Sequence, residues 1–209
     1  DGLISTLGAL VGIAAGTQNK NAVAVAGLVI ITVESLSMAA GSYLSSKSQK
    51  ELLQGLLRDE EESILRDPEG EKRELWEMYR ARGYKDSEIE IIEKRLFSDK
   101  RLLLEDMAHK ELGIDMKSFD DPGTNALVMG VCYVLGGMVP VVPYLILSVQ
   151  NAMRISILIS VVSLFIFGGI KGVLVRQPWW KSGIEMLGIA GIAGIAGYFI
   201  GLWTGRVYN

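Results

Sequence analysis

Two apolar regions flank one dense polar region along the chain, and the apolar regions are nearly free of charge. Residues 122–153 and 155–170 carry no charged side chain, and 182–205 carry only Glu185. A bilayer core takes about 20 apolar residues in helical form, and an apolar run beyond about 18 is a candidate span. The pattern predicts an all-α polytopic membrane protein with five transmembrane helices, over about residues 2–16, 22–46, 124–149, 155–175 and 182–205. The first run is short for a span, so native sequence is expected before residue 1, with Asp1 inside a longer first helix.

Two spans carry irregular features. The third contains GGMVPVVPY, whose Pro140 and Pro143 remove two backbone donors. Carbonyls freed in this way survive in hydrocarbon only where protein or a wet cavity covers them. The fifth has glycines at 188, 191, 194, 197, 201 and 205, the last three in overlapping GxxxG steps that allow close helix approach. That seam is read equally as packing within one bundle or as a dimer contact.

The polar region predicts three helices inserted between spans two and three. One continues from the second span over about 45–65, a second starts at Asp67 and Pro68 and stops at Gly83, and a third runs over about 88–112 with a break near Ser98 and Asp99. Asp86 or Ser87 is expected to cap the third. Its core candidates are few: Ile64, Leu65, Leu75, Trp76, Tyr79, Ile91, Ile92, Leu96 and Leu103. So thin a core predicts outside support, from a partner subunit or bound cations. The expected organisation is residues 1–47 for the first two spans, 48–122 for the acidic helical domain and 123–209 for the last three spans.

Charge sharpens this map. Of the 24 acidic and 21 basic residues, 21 acids and 14 bases fall within 48–121, a net of −7, while the remainder carries three acids and seven bases, a net of +4. A water-soluble enzyme does not distribute charge this way. The charge-dense region is acidic, which removes nucleic acid as a partner. Lysine and arginine in the short loops favour a cytoplasmic central domain. Cys132 stands alone, so neither an intrachain disulfide nor a cysteine metal cluster can form.

Candidate chemistry begins with carboxylates inside the membrane. Glu34 lies mid-span, where an ionised carboxylate costs at least about 2.5 kcal/mol. Such a residue marks an ion or proton pathway by default, the alternative being a hydrogen bond to a neighbouring helix. Met38 follows at i+4 on the same face, and a carboxylate with a thioether suits a soft first-row ion such as Fe²⁺ better than calcium or magnesium. Asp1 offers a further carboxylate beside the small-residue face of Gly8 and Gly12. Glu185 sits near the basic interface and reads as structural. In the acidic domain Glu71 and Glu74 share one helix face, Glu60 to Glu62 lie on the preceding helix, and Met107 and Glu111 are spaced i, i+4. Carboxylates from three helices can assemble a cation site, or simply form a solvated acidic face. The Glu105–Asp106–His109 arrangement has the Glu-x-x-His flavour of di-iron bundles, but one histidine in the chain argues against an oxidase centre. No phosphate-binding loop is present, so transport would run on gradients.

DGLISTLG, SLSMAAGSYLS, EEESILRDPEGEKRELWEMYRARGY, LEDMAHKELGI, GGMVPVVPY and KSGIEMLGIAGIAG together resemble the vacuolar iron transporter family along the whole chain. The resemblance implies a homodimer of five-span subunits that exchanges cytosolic Fe²⁺ for protons. It implies a membrane metal path through Asp1 and Met38 and a cytoplasmic metal site at Glu60, Glu71, Glu74, Met107 and Glu111. The chain departs from the family pattern at Ile30, where a glutamate is usual, and Glu34 one turn later is the candidate replacement. Ser63 stands where a fourth glutamate is usual, and Ala108 where a second methionine is common.

Three classes of function follow. The first is a non-enzymatic secondary transporter of Fe²⁺, with Mn²⁺, Co²⁺ and Zn²⁺ as further cargo, needing no prosthetic group. It would sit in the vacuolar membrane of a eukaryote or the plasma membrane of a prokaryote. The second is a metal buffer or sensor that binds without moving ions. The third, an iron-oxidising enzyme, needs ligands that the chain lacks.

Overall fold

The computed structural model describes residues 1–17, 19–110, 113 and 121–208. Among them the chain is all-α: α1 Gly2–Thr17, α2 Lys20–Arg66, α3 Pro68–Ala81, α4 Asp86–Leu96, α5 Lys100–Lys110, α6 Pro122–Ile146, α7 Val149–Leu174 and α8 Trp179–Tyr208. Four of these, α2, α6, α7 and α8, are long and apolar enough to cross a membrane. Helix α1 is apolar but has 16 residues. At 1.5 Å per residue that is about 24 Å, short of a hydrocarbon core of about 30 Å. Two compact units divide the chain, Asp1–Ser42 with Ala126–Asn209 and Tyr43–Asn125, so the boundary falls inside α2.

In the first unit, backbone meets backbone. Glycines of α1 face glycines of α8: a Cβ on Gly12 would lie 2.5 Å from the Gly197 carbonyl oxygen, and one on Gly16 2.9 Å from that of Gly201. No side chain fits there, so the GxxxG steps of α8 find their partner in Gly8, Gly12 and Gly16 of the same chain. The buried stripe of α7 repeats every four residues, Ala152, Ser156, Ser160, Leu164, Gly168 and Gly172, and its glycines admit Trp179, Ser182 and Gly183 of α8. Helix α6 continues through Pro140 and Pro143, both buried. Around them Val141 and Tyr144 pack with Leu10, Ile31 and Ala152, and the Ser156 hydroxyl donates to the Pro140 carbonyl at 2.8 Å. Both prolines thus pack against protein, where a missing backbone donor is tolerated.

The second unit is organised by caps and side chains. Asp67 accepts the Gly70 N–H at 2.9 Å to start α3, with Pro68 at its first position, and Gly83 at φ +90° follows its end. The cap of α4 is one residue earlier than expected. Glu88 reaches back to accept the Lys85 N–H at 2.8 Å, and the Asp86 carboxylate is taken instead by the Arg80 guanidinium at 3.0 and 3.1 Å. The break in the third helical region is real, because Asp99 accepts the Arg101 N–H at 3.0 Å and starts α5. Ile64, Leu75, Tyr79, Ile89, Leu96, Leu103 and Met107 form the core. Leu65 and Ile91, expected inside, are 61% and 72% exposed. Helical phase explains this: Ile89, Ile92 and Leu96 share one face at i, i+3 and i+7, and Ile91 falls off it.

Candidate metal path and capture residues

Ile30, Glu34 and Met38 stand one turn apart on a single face of α2, all half-buried. Across from them Tyr133 of α6 is 3% exposed, and its phenol donates to Oε2 of Glu34. Ser5 of α1 meets the same phenol oxygen at 2.5 Å. Three helices therefore share one polar chain, Ser5–Tyr133–Glu34, within otherwise apolar surroundings. The hydrogen bond to a neighbouring helix, weighed from sequence against a pathway role, is present, and it makes a half-buried carboxylate tolerable. A bond to a charged group contributes about 1.5–3 kcal/mol, similar to the cost of about 2.5–3.5 kcal/mol for placing the carboxylate at membrane depth.

Asp1 is exposed and, among the described residues, joins this chain through its backbone. Its carbonyl accepts the Ile4 and Ser5 N–H groups at 2.9 and 3.1 Å and faces the Ser5 hydroxyl at 3.3 Å. Ser5 also lines a groove of about 930 Å³ between α1 and α8 whose walls are mostly small residues.

In the acidic unit Glu60 and Glu71 are buried, at 8% and 5% exposure, whereas Glu74 is exposed. The Ser63 hydroxyl donates to Oε1 of Glu71 and so satisfies one of its two oxygens. Oε2 of Glu71 is buried and accepts no hydrogen bond from a described residue. Because Ser63 lies three residues after Glu60 on α2, both buried carboxylates belong to the facing surfaces of α2 and α3. Met107 is fully buried and packs in the hydrophobic core with Ile64 and Leu75. Glu111 lies outside the described residues. Among the described residues, no three histidine, cysteine, aspartate or glutamate side chains converge as metal ligands.

Nearby polar groups hold the helices together. Lys72 and the Trp76 indole both meet Glu93, at 2.7 and 2.6 Å. Burial pushes the Glu93 carboxyl up, but these two hydrogen bonds and the Lys72 charge bring it below its ordinary value. Burial raises Asp106 despite the charges of Arg82 and His109, and lowers its neighbour Lys110. Lys110 pairs with Asp106 at 2.6 Å and lies over the Tyr79 ring.

The sequence profile of the VIT family matches residues 1–202. The chain belongs to the VIT family. It is 30% identical over 199 residues to "Vacuolar iron transporter 1" of Oryza sativa subsp. japonica, covering 95% of this chain and 79% of that protein. It is 28% identical to "Vacuolar iron transporter 1" of Arabidopsis thaliana, over 88% of this chain and 74% of the relative. "Protein CCC1" of Saccharomyces cerevisiae is 27% identical over 78% of this chain and 54% of its own length. VIT family members are transporters, not enzymes. Within that frame, sequence reasoning singled out Glu34 and Met38 but missed Tyr133 and Ser5. The available signal was a phenol in the middle of a charge-free run, one that needs a hydrogen-bond partner wherever it is buried.

Proposed function

We propose that this VIT family chain is a secondary transporter that exports Fe²⁺ from the cytosol in exchange for protons, with Mn²⁺, Co²⁺ and Zn²⁺ as further cargo. It works as a homodimer of five-span subunits, in the vacuolar membrane of a eukaryote or the plasma membrane of a prokaryote, with the acidic unit in the cytosol. The single observation that carries this reading is a carboxylate, Glu34, held by Tyr133 inside a helix long and apolar enough to cross a membrane. The Met38 thioether is one turn away, and the relatives are named as iron transporters.

The path runs through Asp1, Glu34 and Met38. Oxygen and sulfur together favour a first-row transition ion over calcium or magnesium, which take oxygen alone. In the acidic unit Glu60, Glu71, Glu74, Met107 and Glu111 gather the ion before it enters. Buried carboxylates such as Glu60 and Glu71 are stabilised by a cation, and proton uptake by those carboxylates releases it. A second reading, a metal buffer or sensor, draws on Oε2 of Glu71, which accepts no hydrogen bond from a described residue and would bind an ion without any transport.

Anaerobic Fe²⁺ uptake into proteoliposomes, with and without a pH gradient, tests the proposal. Uptake that depends on the gradient and fails in Met38→Ala supports proton-coupled transport along this path. Metal binding without entry gives the buffer or sensor the better claim.

A further inference from the structure

Tyr133 is placed too firmly to be a passive neighbour of Glu34. Its backbone is clamped by α1, where a Cβ on Gly2 would lie 2.5 Å from the Tyr133 carbonyl oxygen. Its ring is buried, and its phenol oxygen is fixed from the other side by Ser5 at 2.5 Å. A phenol has one proton to give, and here that proton goes to Oε2 of Glu34, so across the 2.5 Å contact the phenol oxygen is left to accept from the Ser5 hydroxyl, which shares its proton with the Asp1 carbonyl at 3.3 Å. No described residue donates a hydrogen bond to Oε1, the other carboxylate oxygen.

We infer that Tyr133 is a specificity-determining positioning residue, which engages Oε2 of Glu34 so that Oε1 alone is offered to an ion beside the Met38 thioether. The inference rests on the reading of Glu34 and Met38 as part of a metal path. A carboxylate that presents one oxygen suits an ion completed by a softer donor. Calcium gathers six to eight oxygens and commonly takes a carboxylate through both. Two-oxygen ligation by Glu34 draws on Oε2, which Tyr133 already engages, so a large, oxygen-seeking cation weakens that bond and an ion held through Oε1 does not. The selectivity is thus built from an aromatic residue that itself never touches the metal.

The test is Fe²⁺ uptake by the full chain in proteoliposomes, with Ca²⁺ as competitor. Tyr133→Phe keeps the ring and removes the donor. It is expected to lower the Ca²⁺ concentration for half-inhibition by about tenfold, the weight of one hydrogen bond to a charged group. KM for Fe²⁺ should rise by a larger factor than Vmax falls. In a Glu34→Gln background the same substitution should change neither quantity. Ser5→Ala, which weakens the hold on the phenol from outside, should shift Ca²⁺ sensitivity in the same direction by a smaller factor. Wild-type Ca²⁺ sensitivity in Tyr133→Phe, or an undiminished shift in the Glu34→Gln background, overturns the inference. A wild type that moves no metal removes the transport reading instead. Co²⁺ and Ca²⁺ binding to the purified full chain then decides the role of Tyr133, with the Glu34-dependent part taken as the difference from Glu34→Gln. An unchanged Ca²⁺ to Co²⁺ ratio in Tyr133→Phe overturns it there too.

Discussion

The two units solve opposite problems with opposite materials. In the apolar unit the hydrophobic effect cannot distinguish a neighbouring helix from a lipid tail, so α1 and α8 are held by contact made possible where side chains are missing. In the acidic unit water is the competitor, and a small core is framed by caps, ion pairs and a buried methionine. Polar groups reverse their meaning between the two. A hydrogen bond such as Tyr133 to Glu34 joins two helices within an apolar unit, whereas Lys72 to Glu93 is ordinary framework.

Glycine substitutions should break this comparison most sharply, because a close helix contact and an open helix surface respond with opposite sign. Gly12→Val puts a side chain where the Gly197 carbonyl already is, and the helices must separate. A loss of about 3 kcal/mol or more is expected, read as a fall in the yield and melting temperature of purified protein. Gly55 in the acidic stretch of α2 has nothing within 4 Å of its added Cβ. Gly55→Ala should therefore stabilise by about 0.4–1 kcal/mol through helix propensity and the entropy of the unfolded chain. Equal effects at the two positions would show that close approach is not what holds α1 to α8.

Carboxylates give the next contrast. Glu34→Gln keeps the shape and the acceptor for Tyr133 but removes the charge, and Fe²⁺ flux should drop by about tenfold or more while size-exclusion behaviour stays unchanged. Retained flux would remove Glu34 from the path. Glu71→Gln in the acidic unit should weaken metal binding by about tenfold, yet raise the metal-free stability of the chain by about 1 kcal/mol. The gain is expected because Oε2 of Glu71 is buried with no hydrogen-bond donor among the described residues, while Ser63 can still donate to the amide oxygen. Titration calorimetry with Co²⁺ and melting in chelator read the two effects separately. A metal-free chain that becomes less stable would mean that the buried charge is already balanced.

How much of this was legible in the sequence depends on whether a feature is set locally or across helices. Charge partition located the apolar helices, and Asp67-Pro68 and Gly83 bounded α3, because span length and caps act within a few residues. The glycine steps of α8 predicted close approach but not their partner, since one strand of spacing is compatible with any small-residue face. Leu65 and Ile91 were expected inside, and only the rotation of α2 and α4 about their axes turned them outward. Glu34 stood out as a charge in an apolar run. Tyr133 did not, because an aromatic residue in a membrane span reads as apolar filler until its hydroxyl is seen to have a partner ninety-nine positions away.

The smallest effect tests whether framework polar groups in the acidic unit behave as water-exposed chemistry demands. The Glu93 carboxyl lies below its ordinary value of 4.5, because the hydrogen bonds and charge of Lys72 and Trp76 outweigh burial. A carboxylate depressed in the folded state contributes stability above its unfolded pKa, and that contribution disappears as pH falls from about 4.5 through the lower folded value. Lys72 is 41% exposed in its side chain, so water screens the pair and the contribution is small. Hydrogen exchange of the α3 and α4 amides in the full chain should show faster opening below that pH. Glu93→Gln should exchange faster at neutral pH and lose most of the acid-dependent change. If the amides of α6 and α7 accelerate equally over the same pH range, the response belongs to the whole chain, and the division between a lipid-like and a water-facing economy of polar groups does not hold at this site.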